Sequence, residues 1–438
     1  MALFNSIRSA KTALCIATLA LTLVGSRACF AEAADAGDGA ARKPIEMGTD
    51  GLPKFKHPYD DGLYSTITAM YYCGTPQEYM KANFRDEKLS VPGFNKPVVV
   101  SVIKQSFPAP LVVVLMGGDG EVKGPFGELY PYWFGHAGFN VITFDNAFTP
   151  RYPDVCGRGV VGNFDADTDG AIAIVDAYIK QNDPKNFTRV GVIGLSFGGS
   201  QALIMAAKSK QGVLPFNLAG ALAMSPPVRL LGTAQIVDGF YKNDRFQTTM
   251  IELGKKFGSH VPVQEGQAIP FSQTMMRGAI GFVFRDQLGK VVDRNDRVYN
   301  LNMLPKSGGA DDRNTYCEAT SLQRYIELFA GKYWVGKGAV ANTREVWDMP
   351  NLDRLLPMLP DFAEIVLAEN DPLSFPGEIA AIKARDGGQH ITVLPKGGHL
   401  GFITSEWALV KAHHLFDKSV GPAAVAPAPA SVNVKKPE

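Results

Sequence analysis

Three side chains that together can make a serine nucleophile stand far apart in this chain, at Ser196, Asp371 and His399. Ser196 lies in Gly194-Leu195-Ser196-Phe197-Gly198, a G-x-S-x-G pattern. The apolar, β-branched run before it reads as a buried strand, and the Ala- and Leu-rich run after it reads as a helix. A strand that turns into a helix this abruptly leaves no room for side chains beside the serine. Glycine therefore flanks the turn, and the hydroxyl is lifted out of the sheet. A serine hydroxyl is a weak nucleophile at neutral pH. It needs a base, imidazole is the usual one, and the ring needs a carboxylate to orient it. The alternative is a serine in a merely structural turn.

In a parallel sheet with helices on both faces, functional side chains meet at the carboxyl ends of the strands. His399, in Pro395-Lys396-Gly397-Gly398-His399-Leu400-Gly401-Phe402, follows the last strand, and its glycines let the loop bend back over the sheet. His57, His136, His260, His390, His413 and His414 are placed less well for a base. Asp371, in Ala368-Glu369-Asn370-Asp371-Pro372, directly follows a strand and is the first choice of acid. Glu369 is second, and Asp145, at the end of an earlier strand, is third. Asn-Asp-Pro also favours a plain turn. A developing oxyanion is best held by backbone N–H groups that need no reorganisation. The expected donors are the amides of Phe197 and of Gly118 in Met116-Gly117-Gly118-Asp119-Gly120.

The elements that must position these residues alternate. Strands are predicted over 97–104, 111–116, 140–145, 190–195, 218–224, 364–368 and 391–394, with helices over 167–181, 200–208 and 405–418. Asp167 or Thr168 is the expected cap of the first of these helices. Strands alternating with helices specify an α/β fold, a mostly parallel central sheet flanked by helices. About 140 residues separate the strands ending at Met224 and starting at Glu364, far more than one crossover needs, so they must hold an inserted, largely helical cap. Helices are expected there over 321–333 and within 245–258 and 272–285. Phe271, Met275, Met276, Phe282, Phe284, Phe329, Tyr333 and Trp334 of this insertion either line an acyl pocket or form its own core, and the second reading is favoured. The chain divides into a leader over 1–33, a flexible segment over 34–60, a core over 61–228 and 361–418 interrupted by the cap at 229–360, and an Ala/Pro-rich disordered tail over 419–438.

The leader has the form of a cleaved export signal. Arg8 and Lys11 precede an apolar run over 12–24, and Ala31 and Ala33 offer small residues for cleavage. That run is too short to span a membrane comfortably. Periplasmic or secreted localisation is expected, with no lipid anchor at Cys29, because Ser26 and Arg27 do not suit a lipidation box. Cys73, Cys156 and Cys317 survive cleavage, enough for one bridge and one free thiol. A net charge of +1 without a dense basic run points away from nucleic acid. No cysteine or histidine spacing suggests zinc, and no metal or organic cofactor is expected.

The order Ser196, Asp371, His399, with the elbow Gly194–Gly199 and the loops Asn370-Asp371-Pro372 and Gly397–Phe402, resembles the α/β-hydrolase fold serine hydrolases over residues 85–418. The histidine loop and the strand end Ser225-Pro226-Pro227 are similar to the YheT-like branch. Members often carry His-Gly at the oxyanion loop, where this chain has Met116-Gly117. The resemblance implies hydrolysis of carboxylic esters or related acyl bonds on a small-molecule or lipid-like substrate, through an acyl-enzyme. An acyltransferase, an amidase or peptidase, and a non-catalytic binding protein on the same fold are the alternatives.

Overall fold

The computed structural model describes residues 46–69, 75–118, 122, 125–241, 271–303 and 310–419. The leader, the tail beyond Ser419, Cys73 and the helix expected within 245–258 lie outside the described residues.

The described sheet has eight strands. They are β1 (Arg85–Leu89), β2 (Val98–Ile103), β3 (Ala109–Leu115), β4 (Asn140–Phe144), β5 (Phe187–Leu195), β6 (Leu218–Met224), β7 (Ala363–Ala368) and β8 (Ile391–Leu394), in the order β1-β2-β4-β3-β5-β6-β7-β8. β2 pairs antiparallel with β1 and β4, and all other pairs are parallel. The period-2 geometry of a strand sends alternate residues of β3 into two separate cores. Leu111, Val113 and Leu115 join Val175, Tyr178 and Leu203 from the helices Phe164–Gln181 and Phe197–Lys210. Val112 and Val114 join Tyr130, Phe134 and Phe416 from the helices Pro125–His136 and Glu406–Ser419. Each such side chain contributes about 1.5–3 kcal/mol when fully buried, so a central strand covered on both faces must be apolar throughout.

An edge strand that no apolar pattern predicted is present, and part of the segment expected to be flexible is structured. β1 has the sequence Arg-Asp-Glu-Lys-Leu and is largely exposed. Charge on a sheet edge blocks further pairing, and it also hides the strand from an apolar pattern. Upstream, Leu52 and Tyr59 are buried, and a helix spans Gly62–Thr68.

The cap between β6 and β7 contains a helix of 27 residues, Gln273–Tyr299, and several short helices over 310–358. The insertion does not close a core by itself: Phe271 and Met276 pack with Tyr59, Tyr64, Ile67 and Leu373 from outside it, and Trp334 belongs to the main core. The cap is bolted to a loop that follows β4. Tyr325 Oη donates to Val161 O at 2.7 Å, Trp334 Nε1 donates to Val160 O at 2.8 Å, and Asn295 Oδ1 accepts from Val161 N at 3.2 Å. Cys156 and Cys317 are free buried thiols.

The helix expected from Asp167 begins earlier, at Phe164. Its cap is Asn163, whose Oδ1 accepts from the amides of Asp165 and Ala166 at 3.1 Å. Asp167 instead turns inward and accepts from Gly162 N at 2.9 Å. Burial raises its pKa from the ordinary 3.8 to about 8. A raised acid favours folding most where both states are protonated. That contribution is lost as pH rises from about 4, where the unfolded carboxyl ionises, to about 8, where the folded one does. Asp167→Asn keeps an acceptor for Gly162 and removes the titration. Denaturant unfolding at several pH values should show the variant gaining on the wild type between pH 4 and 8 and holding a constant difference above that.

Candidate active site

The site is built around a backbone that has almost no spare volume. Ser196 sits between β5 and its helix with φ 52° and ψ −115°, a region few L-residues adopt. A Cβ on Gly194 would lie 2.0 Å from Gly198 O, and one on Gly198 would lie 2.3 Å from Leu115 O. Both flanking positions therefore require glycine. Phe197 is the first residue of the helix, so its N–H belongs to the unpaired, positively polarised first turn. A Cβ on Gly118 would touch Phe197 Cβ at 3.8 Å, so the two expected oxyanion donors come from adjoining loops. Asn146 braces the first of these loops. Its Nδ2 donates to Met116 O at 2.7 Å and its Oδ1 accepts from Phe148 N at 2.8 Å.

His399 lies between the other two candidates. Nε2 is 2.8 Å from Ser196 Oγ, and Nδ1 is 2.9 Å from Asp371 Oδ2. A carboxylate accepts, so the proton of the neutral ring belongs on Nδ1, and Nε2 is left to accept from the serine hydroxyl. The second oxygen of Asp371 accepts from Leu373 N at 2.8 Å, which fixes the carboxylate plane. Ser196, Asp371 and His399 are 8, 7 and 7 % exposed, a setting in which bulk water competes poorly for these bonds.

The second and third choices of acid lie elsewhere. Glu369 is exposed. Asp145 accepts from Val122 N at 3.4 Å and pairs with Arg151 at 3.9 Å. His390 Nδ1 is bonded to Ala363 O and His413 Nδ1 to Asp417. Among the described residues, no group of three or more His, Cys, Asp or Glu is placed to hold a metal ion, and no helix is long and apolar enough to cross a membrane.

Several supporting residues escaped the sequence reading. The histidine loop runs through positive φ at Gly397, Gly398 and Leu400, so its amides face outward from any ladder. Three side chains accept them. Asn370 Oδ1 takes Gly398 N at 2.9 Å, Thr66 Oγ1 takes His399 N at 2.8 Å, and Ser225 Oγ takes Leu400 N at 3.3 Å. Asn370 and Ser225 stand inside motifs already noted for other reasons. Thr66 belongs to the upstream helix and carries no local signal. That helix approaches the site so closely that a Cβ on Gly62 would lie 1.9 Å from Asn370 O.

Gly62→Ala should therefore lower stability by about 1–3 kcal/mol, as overpacking against backbone does. Gly239→Ala, in a helix where the added methyl meets nothing within 4 Å, should be neutral or stabilising. Thermal unfolding of the two variants beside the wild type checks both.

The chain matches the alpha/beta hydrolase family over residues 113–412. The match is to the family as a whole and singles out no YheT-like branch. No curated protein matches. Among solved structures, an esterase of Pyrococcus furiosus is similar at 14% identity and a TM-score of 0.43, over 79% of this chain and 94% of that one. A puromycin hydrolase is similar at 14% identity and a TM-score of 0.45, over 78% of this chain and 40% of that one. An esterase of Pyrobaculum calidifontis is similar at 16% identity and a TM-score of 0.40, over 83% and 91%. With its eight-stranded, mostly parallel sheet and a family match across more than half its length, the chain belongs to the alpha/beta hydrolase family.

Proposed function

We propose that this protein is a serine hydrolase that cleaves carboxylic esters or related acyl bonds, and that it is exported through its N-terminal leader. The observation that carries the reading is the unbroken hydrogen-bond line from Asp371 through both nitrogens of His399 to Ser196 Oγ. Three side chains from three different strand ends meet in this way only if the chain is built to hold them there.

In this mechanism Ser196 Oγ attacks the substrate carbonyl as Nε2 of His399 takes its proton. The imidazolium that forms is stabilised by Asp371, which keeps its negative charge. The oxyanion is held by the N–H groups of Phe197 and Gly118 and by the positive end of the elbow helix. Collapse of the tetrahedral intermediate passes the proton from Nε2 to the leaving alcohol and leaves an acyl-serine. Water, deprotonated by the same nitrogen, then releases the acid. Every step moves one proton through Nε2, so the ring must stay within reach of both the serine and the leaving group.

The test is turnover of p-nitrophenyl esters from acetyl to palmitoyl, together with labelling by a fluorophosphonate. Wild type should turn over and label, and Ser196→Ala should do neither. Asp371→Asn should keep the fold and lower kcat by roughly a thousand- to ten-thousand-fold, since an amide partner sets the wrong tautomer. Labelling of Ser196 without ester turnover would favour an acyltransferase or an amidase, and absence of both would favour a binding protein. Equal labelling of wild type and Ser196→Ala would remove Ser196 from the chemistry.

A further inference from the structure

Within the family-matched part of the chain, Asn370 and Ser225 hold the amides of Gly398 and Leu400, but the amide of His399 itself has its partner outside that part. His399 sits on a loop whose backbone takes positive φ at the residues on either side of it, Gly398 at 57° and Leu400 at 65°. Such a loop has no ladder to hold it, yet its ring must stay in place to tenths of an ångström for proton transfer. The bond from Asp371 orients the ring through Nδ1 but does not fix the backbone that carries it.

We infer that Thr66, from the upstream helix, is a positioning residue for His399. Its hydroxyl is committed at both ends. It donates to Gly62 O at 2.7 Å, so the lone pair that faces the loop is free to accept the His399 amide at 2.8 Å. A hydroxyl whose proton is already used inside its own helix acts towards the loop as an acceptor in one fixed direction. The neighbouring contacts leave the loop little room to slide. A Cβ on Gly398 would lie 2.2 Å from Gly62 O and 2.7 Å from Thr66 Oγ1, and one on Gly401 would lie 2.6 Å from Ser65 O. The helix is itself held to the acid turn, where Asn370 Nδ2 donates to Asp60 O at 2.7 Å while Lys396 pairs with Asp60 at 2.9 Å. Residues 60–66 thus tie the acid turn and the histidine loop to one short helix. That helix lies before residue 113, outside the part of the chain that matches the family.

This inference rests on the triad reading, and its test separates the two. Thr66→Val keeps the shape and removes the acceptor, and Thr66→Ser keeps the hydroxyl. With an ester that the wild type turns over, Thr66→Val should lower kcat by about 10- to 100-fold, as a misplacement of the order of an ångström does, with KM within about twofold. The rate of fluorophosphonate labelling should fall in parallel, and Thr66→Ser should restore both to within about threefold. The far-downfield proton resonance of the His399–Asp371 bond should broaden in Thr66→Val and return in Thr66→Ser. A Thr66→Val protein that unfolds at a lower temperature but keeps wild-type kcat and the downfield resonance would overturn the positioning role and leave the triad standing. Absence of Ser196-dependent labelling in the wild type would overturn both.

Discussion

The squeeze at the elbow constrains everything else in this protein. The carbonyls of Leu115, at the end of β3, and of Met116 just after it pass so close to Gly198 that a single methyl group would collide with them. The elbow helix can approach the sheet only because Gly194 and Gly198 have no side chains, and Ser196 is held at a positive φ because the chain has no other way through. That strain costs about 1–3 kcal/mol and persists only where the surroundings over-determine it. Here the surroundings are the two apolar cores on either side of β3 and β5. In return, the serine hydroxyl, the polarised first turn of the helix and the loop after β3 share one point at the carboxyl edge of the sheet. The acid turn and the histidine loop have only to reach that point from β7 and β8.

What the sequence made legible follows from which interactions leave a local trace. Interior strands did, because burial on both faces demands apolar runs, unbroken in β3 and interrupted in β4 only by Asn140 and Thr143. The elbow did, because its steric problem has one cheap solution, glycine. The post-strand positions of Asp371 and His399 could be found once the strands were placed. Residues whose role is relational did not show. Thr66 reaches across 333 positions to His399, and nothing in Gly62-Leu63-Tyr64-Ser65-Thr66 hints at the partner. β1 was hidden by its edge charges. The cap was expected at Asp167 or Thr168 because the apolar period starts there, and the extra turn that begins at Asn163 shows only once Asp167 is seen to face inward. The apolar side chains of the insertion did not show where they pack, since Phe271 and Met276 are buried against the upstream residues Tyr59, Tyr64 and Ile67 and against Leu373, a partnership with no local trace.

The attachment of the insertion has a consequence for how freely it can move. Tyr325, Trp334 and Asn295 each spend a hydrogen bond on the backbone of Val160 and Val161, and Tyr325 and Trp334 are 0 and 8 % exposed. Prising that contact apart would give up about 0.5–1.5 kcal/mol per bond and about 1.5–3 kcal/mol for each large ring uncovered. Together these exceed about 4 kcal/mol, which leaves fewer than about one molecule in a thousand with the cap swung away. This part of the cap is a wall and not a door. The helices that make these bonds move as one body with the loop after β4 and not as a hinged flap.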